Sequence, residues 1–572
     1  MKQEIKNCQN CKEDFVIEPE DFNFYTRMKV PPPTFCRECR LIRRGAVRNV
    51  SSLHHNICKL CEKKIVSVYS TESNFIVYCR ECFISDKWDP EEYAQEYDFS
   101  RPFFVQYIEF LKKVPTLALM NMGVCINTEY TQFIFDSKNA YLSYSTTDSE
   151  DIYYSQNVDK SRNVFDSYIV RNADSIYENV NCANNYNVFY AQFSRNCIDS
   201  WFIYDCVNCS NCILSYNLRN KQYCILNVQY TKEEFEKIKK DITTDSFKEI
   251  SKMKNHFNEL VENKAIHKYA EIFSVQNSTG DRIDNLSNCK YCFDTYDSEN
   301  VSYSNRVGHA KDCMDTWGSL NGELIYETHG AGTRSYNLKF GLMSGLYQDC
   351  EFVHLCTNVK NIFICASLKN KEYYIFNKKY TKDEYFLLVE KIKKHMDDMP
   401  YVDHKGCVYK YGEFYPIELS SFAYNETVAM DYFPLTKEEA LNNGYRWHEK
   451  EPNRYSITYK KNTIPDNLNE LEKNKMIKEV FECENLDTNK HGCTNAFKII
   501  EVEYDFYKKH KLPLPRLCPN CRYYERFAKI PPLKLWHRKC MKNGCNNEFE
   551  TGYASDRPEI IYCEKCYQQE IY

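Results

Sequence analysis

The chain has 572 residues, with 75 Lys and Arg against 80 Asp and Glu and a formal net charge of −5. That length exceeds one compact domain, and the near-balance of charge excludes a partner chosen by global charge, whether nucleic acid or membrane. The start, MKQEIKNCQNC, has no apolar h-region and no run of about 18 apolar residues occurs, so the expectation is a soluble, cytoplasmic chain without membrane association.

Thirty cysteines in a large chain without a secretory signal point to reduced thiols and thiolate–metal sites rather than disulfides. Tyr (47) and Phe (34) are abundant and Gly (16) is scarce, which favours a strand-rich, laterally stacked fold over a nucleotide-binding α/β fold.

In chain order, residues 1–50 carry Cys8-x2-Cys11-x24-Cys36-x2-Cys39, and 51–100 carry Cys58-x2-Cys61-x17-Cys79-x2-Cys82. Two such knuckles bring four thiolates together for a closed tetrahedral Zn²⁺ site, so each segment is expected to be a zinc ribbon. Residues 101–124 form a connector, with Phe103 to Leu119 expected to cap the array that follows. From 125 to 230 the chain repeats every twelve residues: SKNAYLSYSTTD, SEDIYYSQNVDK, SRNVFDSYIVRN, ADSIYENVNCAN and four more blocks from Ser137 onward. Repeat positions 1, 4, 7 and 10 are small or aliphatic, as the inside of a narrow β-solenoid requires. A wider β-helix with two repeats per twenty-four-residue coil is the alternative.

Residues 231–280 read as a charged helical insert opened by the capping box Thr231-Lys-Glu-Glu234 and interrupted near Asp241–Asp245. A second array spans 281–380, with blocks from Leu286 and one slip near Gly322. A capping helix over 381–400 starts at Thr381-Lys-Asp-Glu384. Residues 401–480 form a connector containing the hairpin candidate YKYGEFYP and a further capping box at Thr436. The C-terminus returns to ribbons: Cys483-x9-Cys493-x24-Cys518-x2-Cys521 in 481–530, and Cys540-x4-Cys545-x17-Cys563-x2-Cys566 in 531–572. The fold class is thus mainly β: two twelve-residue-repeat β-solenoid arrays with capping helices, flanked by tandem zinc ribbons at both termini, with four structural Zn²⁺ sites.

Three adjacent cysteines, Cys206, Cys209 and Cys212, fall at repeat positions 10, 1 and 4. Of fourteen cysteines outside the ribbons, only Cys407 lies outside this phase. Metal ligands have no reason to follow one structural phase through two arrays, so these thiols read as small interior fillers. Interior disulfides (Cys206 with Cys212, Cys350 with Cys356) and a metal site are the alternatives.

The stretch CQNCKEDFVIEPEDFNFYTRMKVPPPTFCRECR resembles the small "probable zinc-ribbon" family, with Cys8, Cys11, Cys36 and Cys39 at the ligand positions and Phe24, Tyr25, Pro33 and Arg40 on the flanks. The likeness covers roughly 40 residues at each end. The whole arrangement is similar to multi-zinc-ribbon proteins of candidate-phyla bacteria. That resemblance implies an architecture and no activity.

Basic residues cluster on the ribbons: Arg37, Arg40, Arg43, Arg44 and Arg48 at one end, Arg516, Arg522, Arg526, Lys529, Arg538 and Lys539 at the other. With interleaved aromatics they suit phosphate contact and base stacking, so a non-enzymatic nucleic-acid binder, RNA favoured, is the leading expectation. The second is a protein–protein scaffold using the outward aromatic column Tyr141, Tyr153, Phe165, Tyr177, Phe189 and Trp201. The third is a carbohydrate-active enzyme at the stacked pairs Asp166/Glu178 and Asp315/Glu327, which could instead hold a cation or be a plain polar column. No catalytic residue and no small-molecule substrate stand out.

Overall fold

The computed structural model describes residues 2–330, 334–343, 345–449, 456–470, 472–488 and 492–572. It divides into two units that cut across sequence order: Met1–Met120 with Ala270–Glu449, and Asn121–Tyr269 with Lys450–Tyr572. Ribbons one and two thus share a unit with the second array, and ribbons three and four share one with the first.

Each unit is built on a large sheet. In the second unit Glu150 pairs in parallel with Arg162, Arg162 with Asp174, and Asp174 with Tyr186, while Gln156, Tyr168 and Val180 form another ladder. In the first unit Glu299 pairs with Lys311 and Lys311 with Glu323. The register is twelve residues, so each repeat pairs with its immediate neighbour and the twenty-four-residue alternative drops out. Pairing of the second array begins earlier than the repeats suggest, with Ile272 opposite Ile283. The slip expected near Gly322 is absorbed between Glu323 and Tyr336, which are paired although thirteen apart; part of that stretch, 331–333, lies outside the described residues.

The repeat length follows from the backbone. From Asp136 to Leu226 every third residue has positive φ, as in Asn139 (54°), Leu142 (44°), Ser145 (55°) and Asp148 (48°). Four such positions fall in each twelve-residue repeat. A left-handed corner costs an ordinary L-residue about 1–2 kcal/mol, and Asn and Asp tolerate it best. At repeat positions 3 and 12 they predominate, and their side chains ladder between repeats: Asn184 Nδ2 donates to Asn196 Oδ1 (2.9 Å), Asn196 to Asn208 (2.9 Å), and Asn208 to Asn220 (3.0 Å). Amide ladders take the place glycine would otherwise hold, which accounts for its scarcity.

Between corners, the residues at positions 1, 4, 7 and 10 are buried, among them Ser137, Ala140, Ser143 and Thr146. Interior Ser and Cys bond alike. Ser149 Oγ donates to the Thr147 carbonyl (2.7 Å) and accepts the Ser161 N–H (3.0 Å). Cys289 Sγ donates to the Ser287 carbonyl and accepts the Val301 N–H, both at 3.4 Å. Cys206, Cys209 and Cys212 are buried free thiols donating to the carbonyls of Tyr204, Val207 and Ser210. They are fillers, and neither candidate disulfide exists. Burial pushes the Cys182 and Cys356 thiols up to about 12, so neither is a nucleophile at neutral pH. Cys212→Ser is therefore expected to shift stability by no more than about 1 kcal/mol, and the interior thiols to stay unreactive toward a disulfide reagent until the chain unfolds.

The capping boxes form as the sequence indicates. Thr231 and Thr381 accept the N–H groups of Glu234 and Glu384 to open helices Lys232–Asp241 and Lys382–Asp398, and Thr436 opens Lys437–Asn442. Helix Phe103–Lys113, expected to cap the first array, belongs to the unit of the second. It lies on the second, where Phe103 packs 4.7 Å from Phe352, itself stacked on Phe340. The hairpin of the connector is Tyr401–Val402 with Val408–Tyr409 rather than YKYGEFYP. Among the described residues no helix is long and apolar enough to cross a membrane.

The aromatic column is covered by the chain itself. Tyr153, Phe165, Tyr177 and Phe189 are buried, with Phe506 of ribbon three stacked on Phe165 at 3.8 Å and Tyr507 against Tyr177. Phe257 of helix Phe247–Asn263 meets Phe202.

Candidate metal centres

Each metal centre is a short antiparallel hairpin followed by a helix whose N-cap is the third cysteine. In ribbon one the strands Glu4–Asn7 and Asp14–Ile17 flank the Cys8/Cys11 knuckle, turned by Lys12 at φ 64°. Ribbon two repeats this with His54–Ile57 against Lys64–Ser67 and Glu62 at φ 61°. The N-caps are Cys36, Cys79, Cys518 and Cys563, with φ between −65° and −63°. The positive end of each helix dipole therefore sits at the thiolates.

Four groups bring their sulfurs together: Cys8, Cys11, Cys36 and Cys39; Cys58, Cys61, Cys79 and Cys82; Cys483, Cys493, Cys518 and Cys521; Cys540, Cys545, Cys563 and Cys566. The long x9 arm closes because Cys483 N–H bonds the Asn495 carbonyl (2.8 Å), folding Cys493 back. Cys11–Cys36 is 3.7 Å, and Cys61–Cys79, Cys483–Cys521 and Cys545–Cys563 are each 3.9 Å. Zn–S bonds of about 2.3 Å in a tetrahedron place sulfurs ~3.8 Å apart. In all four centres the third cysteine's N–H donates to the first sulfur: Cys36 to Cys8 (3.2 Å), Cys79 to Cys58 (3.3 Å), Cys518 to Cys483 (3.2 Å) and Cys563 to Cys540 (3.3 Å). Burial opposes ionisation of Cys58, but the N–H groups of Cys79, Cys61 and Leu60 outweigh it and bring the thiol down to about 6. The four groups are positioned to bind zinc, and the described cysteines form no disulfide. With four protein sulfurs apiece they leave no coordination position for a substrate, as structural sites do.

The helix that starts at the third cysteine also aims the arginines. The motif Cys-Arg-x-x-x-Arg puts Arg40 and Arg44, and likewise Arg522 and Arg526, four residues apart on one helical face. In the first unit that face meets the second array. Arg40 Nε donates to Asp315 Oδ2 (2.9 Å), and Arg44 bridges Glu327 Oε2 (2.9 Å) and Asp315 Oδ1 (3.1 Å). Arg43 joins Glu413 (2.9 Å) and Glu327 (3.3 Å). In the second unit Arg522 and Arg526 donate to the two oxygens of Asp166 at 2.5 and 2.9 Å, and Arg522 also reaches Glu503 (3.2 Å). Asp315, Glu327, Asp166 and Glu503 are all 0% exposed.

The correspondence between units is residue by residue. Asp315 and Glu327 match Asp166 and Glu178 at an offset of 149, while Arg40, Arg44 and Asp21 match Arg522, Arg526 and Glu503 at an offset of 482. Tyr303 donates to Asp21 (2.9 Å) just as its counterpart Tyr154 donates to Glu503 (2.8 Å). Two positions differ: Glu525 stands where the first unit has Arg43, and Glu178 pairs with Lys254 of helix Phe247–Asn263 (2.7 Å) instead of with ribbon arginines.

Of the eleven basic residues marked for phosphate contact, seven are buried: Arg40, Arg43, Arg44, Arg48, Arg516, Arg522 and Arg526. Arg48 stands 3.2 Å from the His329 ring, and Arg516 donates to the Leu514 and Ile464 carbonyls. Arg37 is half-buried over the Tyr291 ring, and Arg538 donates to the Ala554 carbonyl. Lys539 is exposed and pairs with Glu548. The basic clusters are thus not a free basic face: Arg40, Arg43, Arg44, Arg522 and Arg526 turn inward to the array carboxylates, and Arg48 and Arg516 are buried against a histidine ring and backbone carbonyls. Those carboxylates are correspondingly neither an open polar column nor a pair accessible to a sugar. Sequence reasoning missed Asp21, Glu413 and Glu503. The matching acid three or four residues before each Phe-Tyr pair was the available signal.

Lys529 is half-buried near Glu178. Desolvation brings its ammonium down to about 8, with Glu178 pulling the other way. A folded value below the unfolded ~10.4 means a stability contribution that is present above ~10.4 and lost as pH falls through ~8. Lys529→Met is therefore expected to stabilise the protein at pH 7 by about 2 kcal/mol, with the gain vanishing toward pH ~10. Thermal midpoints of both proteins at the two pH values check this.

No protein-family model matches the chain, and no curated protein matches it.

Proposed function

We propose that the protein is a non-enzymatic, zinc-dependent interaction scaffold: two rigid β-solenoids, each locked by a pair of zinc ribbons, presenting a repetitive surface to a protein partner. The observation that carries this reading is the burial of the ribbon arginines against array carboxylates. A guanidinium neutralised by a carboxylate and removed from water cannot exchange counterions with phosphate. The same contact closes Asp166 and Asp315 to carbohydrate chemistry, since a substrate cannot reach a carboxylate sealed under a helix.

A groove of about 840 Å³ runs along the first array, lined among others by Asp136, Lys138, Glu150, Arg162, Asp174 and Tyr186. Lys138 pairs with Glu150 (2.8 Å) and Arg162 with Asp174 (2.7 Å) on successive repeats. Alternating signs cancel the field along the groove, which gives a polyphosphate no attraction and suits a polypeptide of mixed charge.

The test is purification with nuclease omitted, reading the A260/A280 ratio and zinc content, followed by a pull-down. The proposal expects clean protein with the thiolate sites filled. It also expects salt-tolerant capture of one protein, weakened when Glu150 and Asp174 are both changed to Lys. Nucleic acid retained at low salt and released at high salt would overturn it and return the reading to an RNA binder.

A further inference from the structure

A second kind of metal-ligating cluster lies in the first unit, away from the cysteines. His54, on the opening strand of the second ribbon, Glu426, at the end of the short turn Tyr424–Glu426, and His448 bring one ligand atom each within 4.8 Å of one another. His54 Nε2 is 2.7 Å from Glu426 Oε1. The approach is not aligned as a hydrogen bond, and both atoms are buried without another partner. Glu426 is only 8% exposed. Oε1 thus rests on the His54 imidazole alone, which leaves this buried carboxylate oxygen with lone-pair capacity to spare.

The holding is specific. Glu426 Oε2 accepts the Ala423 N–H (2.8 Å), which leaves Oε1 facing the histidines. Asn425 clamps His448 through two bonds, accepting its backbone N–H and donating to its carbonyl, both at 2.9 Å. The two imidazole rings stand at 85° with centroids 5.0 Å apart. Both histidines remain partly exposed, so the cluster is fixed on the Glu426 side and open to solvent on the other.

We propose that His54, Glu426 and His448 form a fifth metal site, for a borderline divalent ion such as Zn²⁺, Fe²⁺ or Co²⁺. Two imidazole nitrogens and one carboxylate oxygen are a donor set that prefers such ions to Ca²⁺ or Mg²⁺. Unlike the four sulfur-only centres, this one supplies three protein ligands and leaves further positions to water or a ligand.

The test titrates the full chain, brought to four zincs by removing metal held outside the thiolate centres, with Co²⁺. The expected result is one Co²⁺ bound per chain with a weak d–d spectrum and no sulfur-to-cobalt charge transfer, the four thiolate zincs being retained. His448→Ala and Glu426→Gln should abolish this binding without releasing those zincs. Asn425→Ala, which removes only the clamp, should weaken it roughly 10–100-fold. His448→Gln gives the same reading should Glu426→Gln disturb the fold. No Co²⁺ bound beyond the thiolate sites, or binding unchanged in both the His448 and Glu426 variants, overturns the proposal.

Discussion

Stripping zinc from the intact protein will unfold both ribbon pairs. The hairpin strands are two to four residues long, and each ribbon is too small to hold itself together by burial alone. The ligand Cys36 is also the N-cap of helix Arg37–Ala46, and Cys518 that of helix Pro519–Phe527. Loss of the metal therefore removes the helix start together with the knuckle, at a cost on the order of 10 kcal/mol per site. Once those helices melt, the arrays lose their covers, and Phe165 and Tyr177 come into contact with water. The measurable outcome is a fall in helical circular dichroism with a rise in binding of an apolar dye, both reversed by Zn²⁺. Cys36→Ser should remove one zinc per chain and give a partial version of the same change. Retention of helical signal and absence of dye binding after complete zinc removal would contradict this.

The second large effect comes from the carboxylate beneath the ribbon helix. Asp166→Asn leaves Arg522 and Arg526 buried without their shared counter-charge, and breaking a buried pair in this way costs about 3–5 kcal/mol. Replacing all three together by apolar residues (Asp166→Leu, Arg522→Met, Arg526→Met) should recover most of that loss, because the desolvation of three charges goes with them. Denaturant midpoints of the two variants against the parent check both statements. The first unit behaves differently at Glu327. Burial raises its carboxyl to about 7, with Arg44 and Arg43 opposing. A folded value above the unfolded ~4.3 gives stability that is full below ~4.3 and lost as pH rises through ~7. Glu327→Gln should accordingly cost less at pH 8 than Asp166→Asn.

Much of this architecture was legible in the chain. Sixteen cysteines with repeated x24 and x17 intervals give the four sulfur clusters, including the awkward Cys483 and Cys540 arms, because ligand spacing is a local constraint. The twelve-residue period gives the inward residues, so Cys206, Cys209 and Cys212 read as fillers from the sequence alone. The left-handed corner at every third residue was less visible, since aromatic and aliphatic residues such as Tyr190 and Leu214 occupy it as well as Asn. The arginines were misread for a different reason. Arg40 meets Asp315 across 275 positions and Arg526 meets Asp166 across 360, and no local pattern says which of two unpaired features faces the other. In the sequence they stand apart, as a basic cluster and as an acidic column, and each occurs twice. The recurrence in matched numbers was the clue that they belong together. His54, Glu426 and His448 carry no spacing signal at all.

The measurement that tests the central claim most directly is a double-mutant cycle between Arg526 and Asp166, using Arg526→Met, Asp166→Leu and the pair, with zinc content held equal. Ribbons clamped onto the array through this contact predict a coupling of at least about 2 kcal/mol, with the double variant far more stable than the sum of the single changes allows. Additive effects, with no coupling between the two positions, would contradict the clamp and free the ribbon arginines for another partner.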